Sequence, residues 1–277
     1  MNMLSRLLRA ATAIGLMTLH FAASATPPAA AQEPLPTVVL VHGAFAESAS
    51  WNAVARNLRA RSFPVFAAAN PLRGVKSDAA YVSAIVASIK GPVVLVGHSY
   101  GGSVISAAAE GMANVKALVF VAAFAPEPGG SAVDLSGKFP GSTLGDALGS
   151  PVELPGGAKD LYIRQDKFAE QFAADVAPTA ARLMAVAQRP ITDSALAEGA
   201  PAAAWKKVPS WFIYGDRDRN IPPEALAFMA ERAKSVKTVV VKGGSHVVMV
   251  SKPAAVTRLI VEAAGASNAK ASHDAAE

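Results

Sequence analysis

The sequence predicts an α/β protein, a mostly parallel sheet of about six strands with helices on both faces and a helical cap insertion. Three observations carry that prediction. Six short, continuous apolar runs recur along the chain: 37–41, 64–68, 92–96, 117–121, 211–214 and 238–241. Runs of this length, rich in Val and aromatics, suit strands buried on both faces of a parallel sheet. Stretches with helical spacing of apolar residues lie between them, and strand alternating with helix implies right-handed crossovers and a doubly wound sheet. From Pro126 to Pro209 no strand-like run appears, which predicts a cap at about residues 127–208.

Taken in order, the first strand is Thr37-Val38-Val39-Leu40-Val41. The helix after it spans 50–61, where Trp51, Val54, Ala55 and Leu58 fall at helical intervals. Similar patterns cover 78–90, 102–111, 223–234 and 253–264. Pro223 and Pro253 stand where a first helical turn tolerates proline. Within the cap, 126–157 is rich in Gly, Pro and Ser. Residues 159–204 look helical, with Leu161, Ile163, Phe168, Phe172, Leu183 and Met184 as packing residues. The tail, residues 266–277, is small and polar and is expected to fray.

At 277 residues the chain can bury one large core, here residues 37–265, and no linker divides it. Its apolar, Ala-rich composition argues against disorder. The net charge of +5 comes from scattered Lys and Arg with no basic stripe, so nucleic acid is not an expected partner. The first 25 residues read as an export signal. Arg6 and Arg9 form a basic start, an apolar stretch follows to Phe21, and Ala23-Ser24-Ala25 has the small residues of a cleavage site. Ala29-Ala30-Ala31 offers a second site within the Pro/Ala-rich spacer, residues 26–36. The apolar stretch is shorter than the roughly 20 residues that span a bilayer, so no membrane anchor is expected. The expected location is the periplasm or the exterior. Without cysteine, no disulfide or lipidated thiol can form.

The strongest chemical signal is Gly97-His98-Ser99-Tyr100-Gly101-Gly102, after a strand and before a helix. A G-x-S-x-G turn in that context presents a nucleophilic serine, Ser99, at a helix N-terminus, with glycines where side chains would strike neighbouring backbone. A serine hydroxyl is a weak nucleophile and needs a base. Of the five histidines, His20 lies in the signal, His273 in the tail, and His98 points elsewhere in the tight turn. His42 is expected to hold its own loop. That leaves His246, in a loop at the carboxyl end of the last strand, where open α/β sheets form their sites. The acid comes from Gly215-Asp216-Arg217-Asp218. Asp218 is preferred because it lies beyond the turn, and Asp216 remains the rival, with turn bonding as its ordinary role. The order Ser, Asp, His is the one this architecture uses. Two backbone N–H groups should stabilise an oxyanion, those of Tyr100 and Ala44. No metal cluster or dinucleotide fingerprint is visible, so no cofactor is expected.

These motifs, together with VHGAF at 41–45, FVAAFAP at 120–126 and KGGSHVVMVSKP at 242–253, resemble α/β-hydrolases of the plant methylesterase and hydroxynitrile lyase group and their bacterial esterase relatives. The likeness runs from about Thr37 to Ala264. It implies a six-stranded core, Ser99, Asp218 and His246 as the catalytic set, and Ala44 and Tyr100 as oxyanion donors. Lyases of that group place a lysine directly after the histidine, and here Val247 stands there. The expected activity is cleavage of small to medium hydrophobic carboxylic esters through an acyl-enzyme. The same residues could instead serve perhydrolysis of the haloperoxidase type, lactone or amide hydrolysis, lyase action, or a ligand sensor.

Overall fold

The computed structural model describes residues 34–274; the expected export signal and most of the spacer lie outside them. The chain runs β1 (Thr37–Val41), α1 (Asn52–Arg59), β2 (Val65–Ala68), α2 (Val75–Ser88), β3 (Val93–His98), α3 (Gly101–Ala108) and β4 (Val115–Val121). The cap follows, with α4 (Ala132–Lys138), α5 (Leu144–Ala147), β5 (Val152–Glu153), β6 (Lys159–Leu161), α6 (Gln165–Phe172), α7 (Pro178–Ala187), β7 (Ile191–Thr192) and α8 (Asp193–Ala197). The chain then returns to the sheet with β8 (Ser210–Gly215), α9 (Pro223–Arg232), β9 (Lys237–Val241), α10 (Val248–Ser251) and α11 (Pro253–Asp274).

The main sheet has six strands in the order β2-β1-β3-β4-β8-β9, all parallel. Every residue of β3 and β8 is buried, as runs of Val, Leu, Phe and Ile covered by helices on both faces must be. The edge strands differ from the expectation of two-sided burial. Phe66 of β2 is 45% exposed and Val240 of β9 is 53% exposed, because an edge strand has a neighbour on one side only. The chain passes from β1 outward to β2 and then back across to β3. The sheet order therefore reverses between β1 and β3, which is where such sheets open a crevice beyond their carboxyl ends.

Local chemistry sets the element ends. Pro223 occupies the first turn of α9, with Glu224 beside it and Arg232 in the last turn, each sign complementing the helix dipole. Ser131 caps α4 by accepting from the Asp134 amide at 3.1 Å. The Asp134 carboxylate accepts in return from the Ser131 amide at 2.9 Å.

Two further expectations need correction. The cap is not purely helical, since β5, β6 and β7 form a small antiparallel sheet. Strands of two or three residues are too short to display an alternating pattern. The last helix does not end at 264, and residues 266–274 are helical rather than frayed. The segment contains no proline, and Val256, Leu259, Ile260 and Ala263 pack the preceding turns. Once nucleated there, a helix extends at the cost of fixing one residue per hydrogen bond. No described helix is long and apolar enough to cross a membrane.

Candidate active site

The site assembles where the loops after β1, β3, β8 and β9 leave the same edge of the sheet. After β3 the chain turns so tightly that Ser99 takes φ 53°, a left-handed conformation that costs a non-glycine residue energy. Neighbouring glycines make the turn possible. A Cβ on Gly97 would stand 2.5 Å from the Gly101 carbonyl oxygen, and one on Gly101 would stand 2.7 Å from that of Val41. The β1 loop packs directly on the turn, where a Cβ on Gly43 would meet the Ser99 Cβ at 2.5 Å. That contact brings the Ala44 segment beside Ser99 and Tyr100, and all three residues line one cavity of about 360 Å³.

The candidate acid and base come from the next two loops, locked together by backbone. A Cβ on Gly215 would lie 2.1 Å from the Gly244 carbonyl oxygen, so only glycine lets the ends of β8 and β9 approach this closely. The approach delivers His246 Nδ1 to within 2.7 Å of Asp218 Oδ2, with both side chains fully buried. The other carboxylate oxygen of Asp218 accepts from the amides of Asn220 at 2.8 Å and Ile221 at 3.0 Å. His246 Nε2 is buried and has no protein hydrogen-bond partner. Asp216 lies elsewhere, accepting from the Gly243 amide at 2.6 Å on the exposed side of the turn.

His98 packs against His246. Its ring sits 4.7 Å from the His246 ring, and its Nε2–H donates to the His246 carbonyl oxygen at 3.2 Å. Burial, then the neighbouring His246, holds its pKa well below the ordinary histidine value, so it stays neutral. His42 does hold its loop. Its Nδ1–H donates to the Gly43 carbonyl oxygen at 3.0 Å, and its own carbonyl accepts from Asn70 Nδ2 at 2.9 Å. Burial lowers its pKa to about 4.

Sequence reasoning missed two supports. The Tyr100 hydroxyl donates to Asp78 Oδ2 at 2.9 Å, and the fully buried Asp78 also accepts from the Arg73 amide at 3.2 Å. Burial and then Asp78 push the Tyr100 phenol upward, and burial pushes the Asp78 carboxyl upward too. Asp78 carried no motif; only a buried carboxylate on an otherwise apolar helix face marks it. The other support is Ser245, whose hydroxyl donates to Asp175 Oδ1 of the cap at 2.5 Å and so ties the histidine loop to the cap.

The cap closes the cavity with Val133, Leu144, Leu148 and Leu196. Of the cap residues expected to pack, Ile163, Phe168 and Phe172 are buried, whereas Leu183 is 67% exposed. Among the described residues no three or more His, Asp or Glu side chains gather as metal ligands would. A serine at a strained turn, an imidazole bonded to a buried carboxylate and a pocket lined by apolar groups together suit acyl transfer.

The alpha/beta hydrolase family model matches residues 38–259, which take in the cap and all of the main sheet but Thr37. This chain belongs to that family. The hydrolase is 26% identical over 237 residues to an alpha-hydroxynitrile lyase of Arabidopsis thaliana, covering 78% of this chain and 92% of that protein. Among solved structures, polyneuridine aldehyde esterase is similar at 20% identity and a TM-score of 0.70, covering 82% of the hydrolase and 98% of that chain. A pyrethroid hydrolase from Sphingobium faniae matches at 22% identity and a TM-score of 0.66, covering 83% and 98%. Tomato methylketone synthase I matches at 20% and 0.67, covering 83% and 98%. At these identities the solved structures speak for the fold alone.

Proposed function

We propose that the hydrolase is a serine esterase that cleaves carboxylic esters of small to medium hydrophobic substrates. The observation that carries this reading is the buried His246–Asp218 pair at 2.7 Å, whose imidazole Nε2 has no protein partner, together with Ser99 held at the strained turn after β3. In the proposed cycle Ser99 Oγ attacks the ester carbonyl carbon as His246 Nε2 takes its proton. Asp218 accepts from Nδ1–H and stabilises the imidazolium that forms. The developing oxyanion is met by the amides of Ala44 and Tyr100. The C–O bond to the alcohol then breaks, and His246 returns the proton to the leaving oxygen. Water, deprotonated by His246, attacks the acyl-enzyme and releases the acid along the same route. The apolar cavity favours uncharged acyl or alcohol groups.

Cyanohydrin cleavage is the less favoured use of these residues. The position that holds a lysine in the lyases is Val247, which is fully buried, so no cation stands there to receive a departing anion. Export to the periplasm or beyond belongs to the same proposal, and N-terminal sequencing of protein recovered outside the cytoplasm tests it.

Hydrolysis of p-nitrophenyl esters over a short-to-medium acyl series, with wild type and Ser99→Ala side by side, tests the activity. Turnover by wild type that drops to background in Ser99→Ala supports the reading. A folded wild type inactive across the series, or activity that survives Ser99→Ala, refutes it.

A further inference from the structure

A second cavity of about 350 Å³ lies beside the catalytic one of about 360 Å³, and Phe45 is the one residue common to both linings. The second cavity is walled by Ala53 and Arg56 of α1, Ala180, Leu183 and Met184 of α7, and Val250 of α10. Its surface is mainly apolar, and the 67% exposure of Leu183 on its rim leaves a large hydrophobic side chain in contact with water. That exposure costs free energy that an apolar occupant would recover.

Phe45 is built to stay in place. It takes φ 60°, unusual for a bulky residue, and its amide donates to the Arg189 carbonyl oxygen of the cap at 2.9 Å. Its ring meets Phe172 edge-on at 6.2 Å between centroids, and Phe172 in turn packs 5.1 Å from the His246 ring. The side chain is 3% exposed. A ring pinned by backbone, cap and aromatic neighbours between two cavities is a wall.

We propose that Phe45 is a specificity-determining partition. It ends the catalytic cavity and limits the ester's apolar group to what that cavity holds. The cavity behind it is a closed-off subsite for the distal part of a longer straight acyl chain. The proposal rests on the esterase reading for its catalytic test, but not for its binding test.

The experiment compares wild type, Phe45→Ala, Phe45→Leu and the double variant Phe45→Ala with Ala180→Trp, the last filling the second cavity from its far wall. The kinetic quantity is the ratio of kcat/KM for p-nitrophenyl dodecanoate to that for the butanoate. Each methylene newly buried contributes about fourfold, so removal of the ring raises the ratio by at least roughly tenfold. Phe45→Leu gives a smaller rise and serves in place of Phe45→Ala if the latter does not fold. The double variant returns the ratio to the wild-type value. An unchanged ratio in the single variants, or a gain that persists in the double variant, overturns the proposal. If no variant hydrolyses any ester, the esterase reading fails and calorimetric binding of dodecanoic acid decides the partition. Roughly tenfold tighter binding by Phe45→Ala, reversed by adding Ala180→Trp, supports it, and equal binding by all variants overturns it.

Discussion

Acidification should destabilise this protein through His42, and the magnitude follows from its surroundings. The imidazole is fully buried, its Nδ1–H is committed to the Gly43 carbonyl, and its Nε2 has no protein partner. Protonation would therefore place a proton and a charge where nothing receives them. The folded pKa is lowered from 6.5 to about 4, chiefly by burial. Because the folded value lies below the unfolded one, the unfolded chain binds more protons between those limits. The stabilisation is fully present above about pH 6.5 and is lost as pH falls toward about pH 4. Between pH 7 and pH 5 the loss from His42 alone is about 2 kcal/mol, or roughly 4–8 °C in Tm for a domain of this size. His98, shifted in the same direction by burial, adds to it. Asp78, whose carboxyl is raised by burial, acts in the opposite sense as pH falls. The assay is thermal unfolding by circular dichroism at both pH values, with wild type and His42→Gln. Equal midpoints for wild type at the two pH values, or an undiminished difference in His42→Gln, would falsify this account.

Three further outcomes separate chemistry from packing. Asp218→Asn should lower kcat by about three to four orders of magnitude, because an amide cannot accept from both loop amides and still orient His246. Asp216→Asn should stay within several-fold of wild type, since its bond to Gly243 lies on the exposed side of the turn; equal losses in the two variants would contradict the assignment. Tyr100→Phe leaves the buried Asp78 short of a donor and should cost about 1–3 kcal/mol in urea unfolding, so an unchanged midpoint would show that the bond carries no stability. Phe172→Ala, which strips packing from His246, His98, Phe45 and Phe168 together, should cost about 3–5 kcal/mol, measured in the same way.

The order of elements was legible in the sequence because strand and helix advertise themselves by local period. The run at Thr37–Val41 and the glycines around Ser99 are consequences of neighbours in the chain. So is the turn that holds Ser99, whose strain is written in Gly97 and Gly101. The sequence singles out His246 and favours Asp218 over Asp216, since all follow strand ends and Asp218 lies beyond the turn. That Asp218 rather than Asp216 meets His246 depends on the approach of Gly215 to Gly244, a contact between segments roughly thirty residues apart. Short strands such as β5 and β7 left no period to read. The bond from Tyr100 to Asp78, the His98 ring against His246 and the wall at Phe45 join residues with no shared motif. Local sequence determines conformation and the types of groups available. Which groups meet, which are stripped of water and how much space lies between them depend on packing across the whole sheet and cap, and only the tertiary structure decides them.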